Sequence, residues 1–179
     1  VVGLALLARE RQADKTLKDF RTWAGTLAAA RALCLVPKAG GAAEAKRKLA
    51  ATFDALVAKG KLGADAAQVA LACIEPLATL ADARDCGLVV EAIVENLEAK
   101  RALFRELEGL VATDAVLATN TSSISVTANG NGLKHPGRLV GMHFFNPVPL
   151  MKLVEVVHGL QTSPTVAEAI FALSQAWGK

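Results

Sequence analysis

Residues 139–157 read LVGMHFFNPVPLMKLVEVV, two apolar runs on either side of an aromatic pair and an Asn-Pro turn. The first run leads directly into His143, and the second surrounds a single carboxylate, Glu155. If both runs are β-strands, the imidazole and the carboxylate lie on adjacent elements. Apolar β-branched residues flank Glu155, and an unpaired charge among them would cost free energy. We therefore expect Glu155 to have a partner.

A histidine that is held by a carboxylate has a fixed tautomer and can act as a general base. His143 and Glu155 are our candidates for such a base and the group that orients it. The structural alternative is a satisfied pair without chemistry, or two unrelated surface residues.

The rest of the chain alternates between strand and helix patterns. Apolar runs predict strands at residues 88–93 and 116–119, and Asn96 can cap the amphipathic helix between them. Ser163-Pro164 predicts the start of a last helix. Such alternation is typical of an α/β domain with a doubly wound parallel sheet that helices cover on both faces.

Three of the predicted strands end in polar residues. Glu95 and Asn96 follow the first, residues 120–123 follow the second, and His143 and Asn146 follow the third. In open α/β sheets, ligands bind outside the carboxyl ends of the strands. The pattern therefore indicates a cleft lined with hydrogen-bonding groups. Each polar cluster taken alone can equally be a turn or a helix cap.

Composition argues against several other classes. The chain has 179 residues, enough for one domain with a core, and a net charge of +3 with scattered basic residues, so we expect no nucleic-acid partner. No apolar run is long enough to span a bilayer, and residues 1–8 lack the features of a signal peptide. The three cysteines form no C-x-x-C, so we expect no disulfide framework, no metal site and a cytoplasmic location. Because the sequence begins with Val1 and not with Met, we expect a fragment.

HFFNP at residues 143–147, followed by KLVEV at 152–156, resembles the short-chain 3-hydroxyacyl-CoA dehydrogenase family. Two more motifs match the family in order and spacing, VEAIVEN at 90–96 and NTSS at 120–123. The resemblance implies a Rossmann-like NAD-binding domain over residues 41–179. In the family an all-helical domain follows, and we expect this chain to stop before it.

The resemblance also assigns cofactor contacts by position. It implies that Glu95 and Lys100 contact the nicotinamide end of NAD, that Ser122 lies beside the nicotinamide and bonds the substrate hydroxyl, and that Asn146 lies nearby. The structural alternatives are a plain helix start for Glu95, a solvent-facing Lys100, a capping role for Ser122 and a turn at Asn146.

The activity implied is hydride transfer between NAD and a 3-hydroxyacyl-CoA, with a 3-ketoacyl-CoA as the other substrate, as in β-oxidation of fatty acids. His143 would take the proton of the C3 hydroxyl, Ser122 would bond the same oxygen, and Glu155 would orient the imidazole. Full-length members of the family are expected to be homodimers.

Residues 1–40 depart from the family pattern. A dinucleotide site needs a G-x-G-x-x-G turn and a second strand that ends in an acid. The nearest candidate turn, WAGTLA at residues 23–28, keeps only the middle glycine, and Pro37 stands where the acid is expected. We interpret residues 1–40 as an atypical segment in place of the first strand and glycine loop. The alternative function is a non-catalytic remnant that binds acyl-CoA or NADH, or a structural fragment of the family.

Overall fold

The computed structural model describes most of the chain: residues 4–9, 33–37, 42–60, 62–72, 74–77, 79–145 and 151–179. Its strands are β1 (Leu4–Arg9), β2 (Leu33–Pro37), β3 (Ile74–Pro76), β4 (Cys86–Ala92), β5 (Val116–Thr119), β6 (Leu139–Phe144) and β7 (Val154–Val157). Its α-helices are α1 (Ala42–Ala58), α2 (Ala64–Ala72), α3 (Leu97–Leu110), α4 (Val126–Gly130) and α5 (Pro164–Ala176). Short 3₁₀ turns occupy Leu80–Ala83 and Pro136–Arg138.

The described strands form one sheet in the order β3-β2-β1-β4-β5-β6-β7. The core of the sheet is parallel, since β5 pairs in parallel with both β4 and β6. Helix α3 crosses from β4 to β5, as the sequence predicts. The α/β class and the Rossmann-like architecture are thereby confirmed.

The sheet is mixed, however, where the sequence predicts a parallel one. Strand β7 runs antiparallel to β6, and β1 runs antiparallel to both β2 and β4. A parallel connection needs a crossover of about a dozen or more residues, and the link at 145–153 is too short for one. The direction of β1 carries no signal in its sequence, because an apolar strand can pair its backbone in either direction.

Helices cover both faces of the sheet. On one face, Phe104 and Leu107 of α3 pack on Val89 and Leu117, and all four are completely buried or nearly so. The opposite face packs against α5, and its buried residues are Leu88, Val90, Ala118, Val140, Met142, Ala167, Ile170 and Leu173. Neighbouring residues such as Val89 and Val90 thus enter different clusters, as the two-residue period of a strand requires.

Two predicted helix starts can be compared with the structure. Asn96 caps α3 as expected, because its Oδ1 accepts a hydrogen bond from the N–H of Ala99 at 2.9 Å. Ser163 stands at the N-cap of α5 before Pro164, but its hydroxyl contacts Thr165 Oγ1 at 2.8 Å and caps no backbone N–H. None of the helices in the described ranges is both long and apolar enough to cross a membrane.

A glycine in β6 allows the close approach of β7. A Cβ atom on Gly141 would lie 2.8 Å from Val157 Cβ and 2.9 Å from Val126 Cγ2. We therefore expect Gly141→Ala to lower the free energy of unfolding by about 1–3 kcal/mol, the usual range for overpacking. Urea denaturation followed by circular dichroism measures the change.

Gly87 provides the matched control, since it also lies in a strand and a Cβ there meets no atom within 4 Å. Gly87→Ala should leave the free energy of unfolding unchanged or slightly higher. Equal losses of stability in the two variants would contradict the steric explanation.

Candidate active site

The pairing of β6 with β7 brings the candidate base and its carboxylate together. His143 and Glu155 are cross-strand partners in this ladder. His143 Nδ1 lies 2.8 Å from Glu155 Oε2, with side-chain exposures of 17% and 51%. The contact that the sequence predicts between these two side chains is therefore present.

The second ring nitrogen of His143 contacts the loop after β5. His143 Nε2 lies 3.1 Å from Ser122 Oγ. A carboxylate can only accept hydrogen bonds, so Nδ1 carries the proton that is donated to Glu155, and in the neutral imidazole Nε2 then keeps its lone pair. Ser122 then donates its hydroxyl proton to Nε2. This arrangement leaves Nε2 as the basic atom, on the side of the ring that faces the serine.

Neighbouring aromatic residues fix the end of β6. The rings of His143 and Phe145 are tilted at 49° with centroids 4.6 Å apart. Phe144 points to the other face, where its ring stacks on Trp177 at 6.4 Å. The N–H of Phe144 donates to Asn120 Oδ1 at 2.8 Å, which ties β6 to the loop after β5.

Glu95 accepts several hydrogen bonds from residues 121–123, the loop after β5. Its Oε1 accepts hydrogen bonds from the N–H groups of Ser122 and Ser123, at 3.0 and 3.2 Å, and from the hydroxyl of Thr121. Burial acts to raise the pKa of Glu95, but these hydrogen bonds and Lys100 outweigh it and lower the pKa from 4.5 to about 2. Glu95 is therefore a carboxylate over the whole physiological range. Glu95 accepts the N–H of Ser122, and the hydroxyl of the same residue contacts His143.

Lys100 is buried in a charged cluster behind Glu95. Its Nζ lies 2.7 Å from Glu91 Oε1 and 3.2 Å from Glu95 Oε2, and its side chain has 0% exposure. Glu91 is equally buried, and its Oε2 accepts the hydroxyl proton of Thr119 at 2.7 Å. The structural alternative of a solvent-facing Lys100 is wrong, because the first turn of α3 directs this residue under the loop and towards β4.

The structure thus brings together most of the residues that the sequence singles out. Glu95, Ser122, His143 and Glu155 are joined by consecutive hydrogen bonds, and Lys100 is linked to them through Glu95. The predicted residue Asn146 lies outside the described residues, as does the candidate glycine turn at 23–28.

Sequence reasoning missed Glu91 and Thr119 as parts of the site. For Glu91 a signal was present, because it is a charged residue inside the apolar strand at 88–93. The same signal led us to expect a partner for Glu155. Thr119 carries no such signal, since threonine is common in strands.

Comparison with known proteins identifies the family. The sequence model described as "3-hydroxyacyl-CoA dehydrogenase, NAD binding domain" matches residues 25–179. The chain belongs to this family. Residues 25–179 correspond to the NAD-binding domain of the family.

Similar proteins carry related names. A "Probable 3-hydroxybutyryl-CoA dehydrogenase" of Deinococcus radiodurans is 47% identical over 121 residues, which are 68% of this chain and 43% of that protein. The "3-hydroxyadipyl-CoA dehydrogenase" of Escherichia coli is 43% identical over 72% of this chain and 27% of its own length. The chain thus spans less than half of these curated relatives.

Solved structures show the same fold. A (S)-3-hydroxybutyryl-CoA dehydrogenase from Ralstonia eutropha superposes with a TM-score of 0.81 at 34% identity, covering 92% of this chain and 58% of that one. A 3-hydroxybutyryl-CoA dehydrogenase from Escherichia coli gives 0.80 at 37% identity, covering 90% and 34%. The Rossmann-like fold inferred from the strands is the fold of these enzymes.

The donor set at the sheet edge fits the nicotinamide half of NAD. A carboxamide-bearing aromatic ring needs hydrogen-bonding groups beside an apolar surface. Ser122 and Ser123 are exposed at the carboxyl end of β5, and Val94, with 56% exposure, lies at the end of β4. For the adenosine half, β2 ends at Pro37, the position at which the family pattern expects an acid.

The depressed pKa of Glu95 predicts a pH dependence of stability. A carboxyl whose pKa is lower in the folded state than in the unfolded state stabilises the fold above its unfolded pKa, and this stabilisation is lost as pH falls through the folded value. The contribution of Glu95 should therefore disappear between about pH 5 and pH 2. We expect the free energy of unfolding to fall less steeply over this range in Glu95→Gln than in the wild type.

Urea denaturation at a series of pH values measures both curves. Glu106→Gln, at an exposed position on α3, controls for the loss of one negative charge. Parallel curves for the wild type and Glu95→Gln would show that the hydrogen bonds to Glu95 do not depress its pKa.

Proposed function

We propose that this chain is the catalytic NAD-binding part of a 3-hydroxyacyl-CoA dehydrogenase. The observation that carries the proposal is the continuous hydrogen-bonded row Ser122–His143–Glu155 at the carboxyl edge of the parallel strands. Membership of the family and the names of the relatives support the substrate class, a 3-hydroxyacyl thioester of coenzyme A or its 3-keto form.

Oxidation of the substrate removes a proton from the C3 hydroxyl and a hydride from C3. NAD, when bound, supplies the acceptor for the hydride. His143 Nε2 takes the proton, because Nδ1–H is committed to Glu155 and Nε2 holds the lone pair. In the reverse direction the imidazolium gives that proton back to the oxygen of the 3-keto group.

Ser122 and Glu155 support the base in different ways. The Ser122 hydroxyl, 3.1 Å from Nε2, lies where it can also bond the substrate oxygen and so direct it to the histidine. Glu155 stabilises the imidazolium that forms when Nε2 accepts the proton. A positioned general base contributes about 10²–10⁴ in rate, and the rest of the acceleration comes from orienting substrate and cofactor.

For the cofactor we propose contacts from Glu95, Ser122 and Asn146 to the nicotinamide half. Glu95 and Ser122 lie side by side at the ends of β4 and β5, which supports this assignment. Lys100 contributes through Glu95, which its ammonium contacts. A direct contact between Lys100 and the cofactor stays a prediction.

A second candidate is a binding module that holds NADH or acyl-CoA without turnover. The sequence of residues 23–28, with one of three glycines, and Pro37 at the end of β2 favour it. The two candidates differ in the cofactor affinity of the whole chain, which isothermal titration calorimetry with NADH measures. A micromolar dissociation constant, about −8 kcal/mol, supports the enzyme, whereas millimolar binding, about −4 kcal/mol, supports the remnant.

Substitution of the base tests the mechanism. We expect His143→Gln to lower kcat for the reduction of acetoacetyl-CoA by NADH by about 10²–10⁴-fold, the usual contribution of a general base. The amide keeps a hydrogen bond to Glu155, so folding and NADH affinity should be retained. Loss of NADH absorbance at 340 nm measures the rate.

His158→Gln is the matched control, because His158 is exposed beyond the end of β7 and outside the hydrogen-bonded row. Its turnover should equal that of the wild type. Wild-type turnover in His143→Gln would remove His143 as the base.

A further inference from the structure

We propose that Glu91 is a positioning residue of the candidate active site, acting through Lys100 and Glu95 on the loop that carries Ser122. The inference deepens the proposed function and rests on it for its kinetic measurement. Glu91 itself touches none of the reacting groups and lies on β4, one residue before the end of the strand.

The Glu91 carboxylate joins three separate segments. Its Oε1 accepts hydrogen bonds from Lys100 Nζ of α3, at 2.7 Å, and from the N–H of Ile93 in the loop after β4, at 2.6 Å. Its Oε2 accepts the hydroxyl proton of Thr119 at the end of β5, at 2.7 Å. The backbone carbonyl of Glu91 accepts the N–H of Asn120 at 2.7 Å. One buried residue therefore fixes the ends of both strands that border the site.

A short path of contacts leads from this carboxylate to the base. Glu91 holds the ammonium of Lys100, which contacts Glu95 Oε2 at 3.2 Å. The other oxygen of Glu95 accepts the Ser122 N–H at 3.0 Å, and Ser122 Oγ lies 3.1 Å from His143 Nε2. The contacts from Glu91 through Lys100 and Glu95 to the Ser122 N–H all involve a charged group, and such contacts hold direction and distance closely.

Stability alone does not account for a buried ion pair at this position. Taking two charges out of water costs several kcal/mol per ion, and apolar residues of similar volume are often as stable or more stable. An ion pair that contributes little to stability can instead hold neighbouring side chains in one arrangement among several. Here the arrangement held is that of Glu95, since Lys100 has no exposure and its ammonium contacts both carboxylates.

The test replaces Glu91 by glutamine in the full chain. Glu91→Gln keeps the shape and one acceptor oxygen but removes the negative charge that faces Lys100. We expect kcat to fall by up to about 100-fold, the effect of a small misplacement of catalytic groups, while KM for acetoacetyl-CoA stays unchanged. If Glu91 had only a structural role, Glu91→Gln would lower the folded fraction of the protein. The kcat per folded molecule would then equal that of the wild type.

A second measurement is independent of turnover. NMR spectra of ¹⁵N-labelled protein report the amide resonances of Ser122 and Ser123 and the ring of His143, which is one of three histidines and is assigned with His143→Gln. In Glu91→Gln all three signals should shift. Glu98→Gln is the control, because Glu98 lies on the same helix turn as Lys100 but pairs with Arg101 at the surface. It should shift none of the three signals.

A milder pair of variants covers the case in which Glu91→Gln does not fold. Thr119→Val removes the hydroxyl that donates to Glu91 and keeps the shape, whereas Thr119→Ser retains the hydroxyl. We expect Thr119→Val to shift the same signals in the same direction by a smaller amount, and Thr119→Ser to restore the wild-type positions. Unmoved Ser122, Ser123 and His143 signals in folded Glu91→Gln, or in folded Thr119→Val, would overturn the proposal.

The two proposals fail in distinguishable ways. If the wild type shows no turnover but the signals shift in Glu91→Gln, the proposed function fails and the positioning role stands. If turnover depends on His143 while Glu91→Gln changes neither kcat nor the signals, the positioning role fails and the proposed function stands.

Discussion

The antiparallel ladder between β6 and β7 determines the geometry on which the candidate site depends. Its register places His143 opposite Glu155 and Gly141 opposite Val157. A slip by one residue would turn Glu155 to the other face of the sheet, because side chains alternate along a strand. The missing side chain of Gly141 lets Val157 approach, so the same register that packs the edge of the sheet also pairs the imidazole with its carboxylate.

A second constraint is electrostatic and lies behind the site. Two carboxylates, the buried Glu91 and the partly exposed Glu95, share the single buried ammonium of Lys100. Glu95 completes its hydrogen bonding with N–H and O–H donors of residues 121–123, and these donors, with Lys100, keep its pKa low although partial burial acts to raise it. The loop is therefore shaped by an anion that needs donors, and the hydroxyl of Ser122 faces the histidine as a consequence.

Much of this could be predicted from the sequence, and the failures have physical causes. The helices and the parallel core follow from apolar periodicity, and the partner of Glu155 follows from its apolar neighbours. The direction of β1 did not follow, since an apolar strand pairs in either direction. The burial of Lys100 did not follow either, because a lysine in the first turn of a helix is usually solvated. Only the three-dimensional position of Glu91 explains why Lys100 is buried. Buried polar networks join residues that are far apart in sequence, as Glu91 and Thr119 are, and one-dimensional patterns do not report such contacts.

The site has two halves with different origins in the chain. In the proposed mechanism, proton transfer depends on Glu95, Ser122, His143 and Glu155, which consecutive hydrogen bonds hold in place. The sequence predicts that cofactor affinity depends in addition on the segment at 23–37, where glycines and an acid of the family pattern are replaced. Binding energy from the remote adenosine half of NAD serves to orient the reacting nicotinamide half. A well-placed base accelerates the reaction only in the fraction of molecules that hold the cofactor. Weak binding of NAD would therefore lower the rate at a given cofactor concentration without altering the proton-transfer geometry, and saturation with cofactor would restore it.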